Sequence, residues 1–125
     1  MSKVYFTKSK IEANGVFAGQ NLSQGEEILR IDDSYIVEES KLTQHQKDYE
    51  ADWLTGDKVI LMQSPERYIN HSCNPNSHVE TKDNIRYVIA LQNIRQGDDI
   101  TYDYGEDFTR RHKCSCGSPN CRNPK

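Results

Sequence analysis

The stretch Arg67-Tyr68-Ile69-Asn70-His71-Ser72-Cys73-Asn74-Pro75-Asn76 puts three Asn, a His, a Ser, a Cys and a Pro within ten residues. It follows neither the period of a helix nor the alternation of a strand. Its short polar side chains compete with the backbone for hydrogen bonds and so favour irregular chain. This is unusual material for a plain surface loop. A second such stretch is Gly97-Asp98-Asp99-Ile100-Thr101-Tyr102-Asp103-Tyr104-Gly105, which reads as a strand running Ile100–Tyr104 and ending at Gly. Residues two apart on a strand point the same way, so Tyr102 and Tyr104 are expected to line one surface. An isolated Tyr-x-Tyr is ordinarily a pair of core aromatics with capped hydroxyls. Beside the first stretch, the pair reads as the wall of a site.

The four cysteines point to a metal. Cys114, Cys116 and Cys121 lie in Cys-Ser-Cys-Gly-Ser-Pro-Asn-Cys, and Cys73 lies in the first stretch, after Asn70-His71-Ser72. Three thiols within eight residues, with Gly and Pro turning the chain between them, converge on one soft cation. A tetrahedral zinc needs a fourth ligand, and Cys73 is the remaining cysteine. His71 and His112 are the substitute ligands, and scattered reduced thiols are the plainer alternative. The spacing also fits a nucleic-acid zinc knuckle, which the charge argues against.

The 125 residues are 34% hydrophobic and 28% charged, with a mean hydropathy of −0.89. That suits one compact domain. The longest apolar runs, Val59–Met62 and Val88–Leu91, are too short to cross a bilayer, and the first residues lack the apolar region of a secretory signal. The expectation is therefore a protein of the cytoplasm or nucleus, or one delivered into a host cell without such a signal. Seven Tyr, three Phe and one Trp supply a core and argue against disorder. The core is still modest, the situation in which a metal or disulfide staple is useful. A net charge of −3 and a pI of about 5.8 exclude a general nucleic-acid binder. From Glu26 to Asp57 ten acids face three bases, whereas five bases face two acids from Glu106 to Lys125. Such runs are commonly solvated faces, and here the acidic one also suits a basic peptide.

Short β-rich runs are expected at Val4–Thr7, Val16–Ala18, Glu27–Ile31, Tyr35–Val37, Val59–Met62, Ser77–Glu80 and Arg86–Leu91, besides Ile100–Tyr104. Asn14-Gly15, Gln24-Gly25, Thr55-Gly56, Asp83-Asn84 and Gln96-Gly97 punctuate them as turns. One helix is expected from Ser40 or Thr43 to Leu54, with Thr43 as N-cap and Leu42, Gln46, Tyr49 and Trp53 on one face. Pro65–Arg67 suggests one further turn of helix. The chain is thus mainly β with one or two short helices, and it lacks the α/β alternation of a doubly wound nucleotide fold.

Together these segments resemble a SET-domain lysine methyltransferase, over nearly the whole chain. Lys10–Ala18, ending Asn-Gly-Val-Phe-Ala, resembles the family's opening glycine motif, and Gly25–Ile28 the turn after it. Arg67–Asn76 resembles the Arg-aromatic-(Ile/Phe)-Asn-His-Ser-Cys-x-Pro-Asn signature. Gly97–Gly105 resembles the Gly-Glu-Glu-Leu-Thr-aromatic-Asp-Tyr-Gly motif, and Cys114–Arg122 the post-SET Cys-x-Cys-x4-Cys-Arg tail. The resemblance implies a SET domain over residues 1–108 and a post-SET zinc tail over 109–125. It implies a β-clip of small sheets closed by a pseudoknot, with zinc on Cys73, Cys114, Cys116 and Cys121. It implies S-adenosylmethionine as methyl donor and a protein lysine as acceptor, entering from opposite faces.

By the same resemblance Tyr104 is the catalytic tyrosine. Tyr102 stands where the family carries Phe or Tyr, which suggests mono- or di-methylation. Asn70 and His71, the backbone of Asn14, Gly15, Val16 and Phe17, and the neighbouring Arg67 and Tyr68 are implied on the cofactor. Phe108 is implied over the adenine or as plain packing, and Tyr49 as a channel wall or a core residue. Two departures stand out. Ala13-Asn14-Gly15 replaces the family's frequent Gly-x-Gly, leaving open a catalytically weak module that binds peptide or cofactor; and the cysteine-rich pre-SET cluster is absent, as in small viral and bacterial members. The implied partner is a basic lysine-containing protein or peptide, with no nucleic acid and no membrane. A homodimer completing the surface is a further expectation.

Overall fold

The computed structural model describes residues 2–53 and 56–125, with Trp53 described by its backbone alone. Among them the chain forms short strands in three small sheets and two short α-helices. The first sheet runs in the order β1 (Val4–Thr7), β2 (Gly15–Ala18), β10 (Asp99–Tyr102), β7 (Asn70–His71). The second is β3 (Glu27–Arg30), β9 (Ile85–Ala90), β8 (Ser77–Lys82), and the third β4 (Ile36–Glu38), β6 (Lys58–Leu61), β5 (Ala51–Trp53). Pairing is antiparallel except between β7 and β10, where Thr101 sits beside Asn70 and Tyr102 beside His71. Among the described residues no helix is long and apolar enough to cross a membrane.

Turn chemistry accounts for the local elements. Asp83 and Asn84 take φ of 51° and 64°, so the β8–β9 hairpin turns through two left-handed residues as its tight twist requires. Thr43 caps helix α1 (Gln44–Tyr49) as expected, and in both directions: its Oγ1 accepts from the Gln46 N–H at 3.1 Å, and Gln46 Oε1 accepts from the Thr43 N–H at 2.9 Å. The helix is shorter than the sequence suggested. It stops at Tyr49, and Ala51–Trp53 becomes a strand because the Met62 N–H donates to the Glu50 carbonyl at 2.7 Å and β6 takes up the chain beyond it. Leu54, the expected helix end, and Thr55 lie outside the described residues. No residue of α1 is buried, Gln46 being half-buried and Tyr49 39% exposed.

Other boundaries move for the same long-range reasons. The strand expected to reach Tyr104 ends at Tyr102, and Asn70–His71 inside the polar stretch pairs as β7. The helical turn expected at Pro65–Arg67 is a single 3-10 turn, Glu66–Tyr68, capped by Pro65. The second helix lies instead at α2 (Glu106–Arg111), with Glu106 and Asp107 in its first turn and Arg110 and Arg111 in its last, the arrangement that suits the helix dipole.

The first two sheets share one core, in which Val16, Val88 and Ile100 have no exposed surface and Ile69 1%. Strand β10 is its centre. The Ser72 N–H donates to the Tyr102 carbonyl at 3.1 Å. Asn76 bridges two of the strand's backbone groups, accepting from the Thr101 N–H at 3.0 Å and donating to the Asp99 carbonyl at 2.9 Å. The fully buried Ser77 donates to the Thr101 carbonyl at 2.6 Å. The C-terminal strand is thereby held between β2 and the 70–77 loop, the meeting of segments that the pseudoknot expectation required. Ile100→Ala is expected to cost about 2–5 kcal/mol of unfolding free energy, read from the urea midpoint.

Candidate active site

Beyond β10 the chain leaves the sheet, and Tyr104 folds back across the 69–71 segment. Its hydroxyl donates to the Ile69 carbonyl, and its backbone N–H donates to His71 Nδ1 at 2.9 Å. An imidazole nitrogen that accepts carries no proton, so the neutral ring holds its hydrogen on Nε2, which lies 3.3 Å from Cys73 Sγ. Burial lowers the His71 pKa; Asp103 opposes this and Arg122 adds to it, in keeping with a neutral ring. The 3.6 Å approach of Asp103 to Nδ1 is therefore not an ion pair, and Asp103 binds Arg122 Nη2 at 2.5 Å instead.

Aromatic rings close over this crossing. Tyr104 lies 5.2 Å from Tyr102, 5.3 Å from His71 and 4.8 Å from Phe108, centroid to centroid. Phe108 comes from α2 and in turn meets Tyr49 of α1 edge-on at 5.8 Å and stacks on His112 at 4.8 Å. Tyr102 and Tyr104 thus share a surface as their spacing predicted, although only Tyr102 belongs to the strand. Burial raises both phenol pKa values above the ordinary tyrosine range, the nearby Asp52 carboxylate adding to the effect, so both stay neutral.

The rings divide two cavities. The larger, of about 550 Å³, is lined by Tyr102, Asp52, Arg86, Lys47 and Arg111 among others. The smaller, of about 40 Å³, is lined by Asn70, His71, Ile11, Glu12, Lys113 and Ser115 among others. Tyr49, Tyr104 and Phe108 line both. The larger cavity is less acidic than the 26–57 run suggested. Of that run Asp48 and Asp52 line it, and Asp52 accepts from Arg86 at 2.8 Å. Arg86 also holds Asp33 through two bonds of 2.8 and 2.6 Å, which keeps its guanidinium charged.

The glycine loop lies under the smaller cavity's Asn70, whose Nδ2 donates to the Asn14 carbonyl at 2.8 Å. Neither Ala13 nor Asn14 takes a positive φ, so this loop does not use the left-handed geometry open to Asn. Gly15 matters for space: a Cβ there would stand 2.7 Å from Ser9 Cβ and 3.1 Å from Asn70 Nδ2. Val16 is core, Phe17 stacks on Tyr5 at 5.7 Å, and Tyr68 stacks on Phe6 at 4.9 Å with the Arg67 guanidinium 4.9 Å above its ring. Those four side chains line neither of the two cavities.

Cys73, Cys114, Cys116 and Cys121 come together, with all four Sγ atoms within 4.8 Å of one another and no disulfide among them. A zinc–thiolate tetrahedron has sulfur–sulfur edges of about 3.8 Å, so the set fits such an ion after a small contraction. The thiols cannot all ionise unaided. Burial pushes Cys114 up to about 12, whereas at Cys116 N–H groups from Cys73 and Ser118 overcome burial and bring the thiol down to about 6. His112, a substitute ligand by sequence, is outside this group of four and faces Tyr49. Asn123 ties the cysteine tail to α2, donating to the Thr109 carbonyl at 2.7 Å and the His112 carbonyl at 3.0 Å.

A sequence model of the SET domain matches residues 13–105. The chain belongs to the SET-domain family. It is 33% identical over 97% of its length to Histone-lysine N-methyltransferase trr of Drosophila melanogaster, of which it spans 6%. It is 27% identical over 96% of its length to the H3 lysine-36 specific Histone-lysine N-methyltransferase of Candida albicans, of which it spans 16%. A crystal structure of a candidate histone methyltransferase from Plasmodium falciparum superposes with a TM-score of 0.69 at 22% identity, over 85% of this chain and 96% of that one. The likeness confirms the SET-domain β fold of small sheets.

Several residues of this SET domain's site escaped the sequence reading. Asn76, Ser77 and the Ile69 carbonyl act through long-range bonds that leave no local signal. Glu12, Lys113 and Asp52 are ordinary charges until the fold turns them to a cavity. Asn123 could have been suspected, as an amide just beyond the last cysteine. Phenols with raised pKa values stabilise the fold below the ordinary tyrosine pKa of about 10 and lose that contribution as pH climbs toward the folded-state values. In an absorbance titration at 295 nm, Tyr102→Phe and Tyr104→Phe should each delete a late-ionising step.

Proposed function

We propose that this SET domain is a protein-lysine N-methyltransferase that uses S-adenosylmethionine. The observation that carries the reading is the wall of Tyr49, Tyr104 and Phe108 shared by two otherwise separate cavities, one for each substrate. The smaller has the donor set for the cofactor: an amide in Asn70, the aromatic faces of His71 and Phe108, and the opposite charges of Glu12 and Lys113 for an amino-acid zwitterion. Asn14–Phe17 contribute backbone beside it, with Arg67 and Tyr68 at the flank of the loop. The space there is that of about one water, so the rims at Ile11–Glu12 and Lys113–Ser115 must part to admit it. When bound, the cofactor supplies an electrophilic sulfonium methyl.

The chain's own residues then prepare the amine. A free lysine has a pKa of about 10.4, and an aromatic, water-poor wall lowers it toward the neutral nucleophile. Tyr104 donates a hydrogen bond to the Ile69 carbonyl, leaving its oxygen lone pairs to accept from an amine N–H. As a phenol of raised pKa it orients the amine and does not deprotonate it. Tyr102 presents a second hydroxyl to the same space and limits room for added methyl groups, favouring mono- or di-methylation. Zinc on Cys73, Cys114, Cys116 and Cys121 joins the tail of residues 109–125 to the SET domain. Ala13 takes no positive φ, so the loop's own backbone does not require glycine there. The acceptor is a lysine of a basic protein, and the names of the relatives make histones the first substrates to test.

Radiolabelled methyl transfer to histones and lysate proteins tests the reading. Tyr104→Phe should lower the rate about a hundredfold, and a signal that survives it unchanged refutes the assignment of Tyr104. Tyr102→Phe should raise the number of methyl groups per lysine by mass spectrometry. Stripping the metal with a chelator should reduce both transfer and thermal midpoint.

A further inference from the structure

His71 has a bond on each side of its ring that the reaction itself does not call for. Nδ1 accepts the backbone N–H of Tyr104 at 2.9 Å, and Nε2 lies 3.3 Å from Cys73 Sγ. The first bond decides the second: with Nδ1 accepting, the neutral ring must present Nε2–H to the sulfur. Only 4% of the side chain is exposed, so water does not replace either partner. A parallel connection runs through the tail. The Arg122 N–H donates to the same Cys73 Sγ at 3.4 Å, and its side chain binds Asp103, whose Oδ1 accepts the Gly105 N–H at 2.8 Å. Residues 103, 104 and 105 are thus each anchored, and two of the three anchors reach Cys73 through one intervening residue, Arg122 or His71.

We infer that His71 is a positioning residue that couples the metal centre to Tyr104, fixing the tyrosine's backbone in register with the thiolate of Cys73. The inference rests on the cysteine cluster holding a metal. A metal on Cys73 keeps its sulfur a thiolate, a hydrogen-bond acceptor of fixed position. The Nε2–H bond to it holds the ring, and the ring holds the Tyr104 N–H. The metal then belongs to the geometry of the site as well as to the stability of the tail.

The two halves of the ring can be separated by substitution. Asn places an amide oxygen where Nδ1 stands and loses the donor to Cys73; Gln places an amide N–H where Nε2 stands and loses the acceptor for Tyr104. The test uses the full, 15N-labelled chain loaded with zinc and then with cadmium, which keeps four thiolates but lengthens the metal–sulfur bonds. In the unsubstituted chain the His71 ring should show the Nε2–H tautomer, and the metal exchange should shift both the Nε2 resonance and the Tyr104 amide. His71→Asn should weaken zinc in a chelator competition by about ten- to a hundredfold. His71→Gln should keep the affinity, yet its Tyr104 amide should no longer follow the exchange. An Nδ1–H tautomer, equal loss of affinity in both variants, or a Tyr104 amide that ignores the exchange while the Cys114 and Cys116 amides respond would overturn the coupling alone. A purified chain that takes up no zinc overturns the metal reading, and the coupling with it.

Discussion

Strand β10 lies between β2 and β7, and the molecule is arranged around keeping its backbone satisfied. Its Ile100 fills the core, while Asn76 and Ser77 complete hydrogen bonds of Asp99 and Thr101 that the two neighbouring strands leave unmade. A buried backbone group without a partner costs about 1–3 kcal/mol, so losing one amide side chain here would strand two such groups. The polar 67–76 stretch is therefore structural before it is functional. The turn that lets Asn76 embrace the strand also carries Asn70 to the glycine loop and His71 to Tyr104.

The small core makes this dependence sharper. With about a third of its residues hydrophobic, the chain relies on side-chain hydrogen bonds and on the cysteine cluster for closure. The tail folds on itself through Asn123 and reaches the rest of the domain through Arg122 on Asp103 and Lys125 on Glu12. Glu12 lines the smaller cavity and Asp103 the larger, so what stabilises the tail also shapes both.

The larger cavity is held differently. The Arg86 guanidinium joins Asp33 to Asp52, so it links β9 of the second sheet to β5 of the third. An ion pair half out of water gains moderate energy, but its geometry fixes the separation between those sheets. That separation sets the mouth of the larger cavity, and the Arg86 charge balances Asp52, one of the acids that line it.

What lay within a few residues of itself was legible in the sequence. The Asp83-Asn84 turn, the Thr43 cap, the shared surface of Tyr102 and Tyr104, and the grouping of Cys114, Cys116 and Cys121 all follow from side-chain chemistry at fixed short spacing. The motifs also carried the family, because each groups unusual residue types in one segment. Strands β5 and β7, helix α2, the shortened α1 and the partners of Asn76 were not legible. They depend on which distant edge or carbonyl remains unpaired once the sheets assemble. Tertiary structure alone decided that Tyr49, Tyr104 and Phe108 form one wall between two cavities, because they come from segments brought together only when β10 is enclosed. A sequence specifies which groups can bond; only the closed chain determines which of them are left facing each other without water.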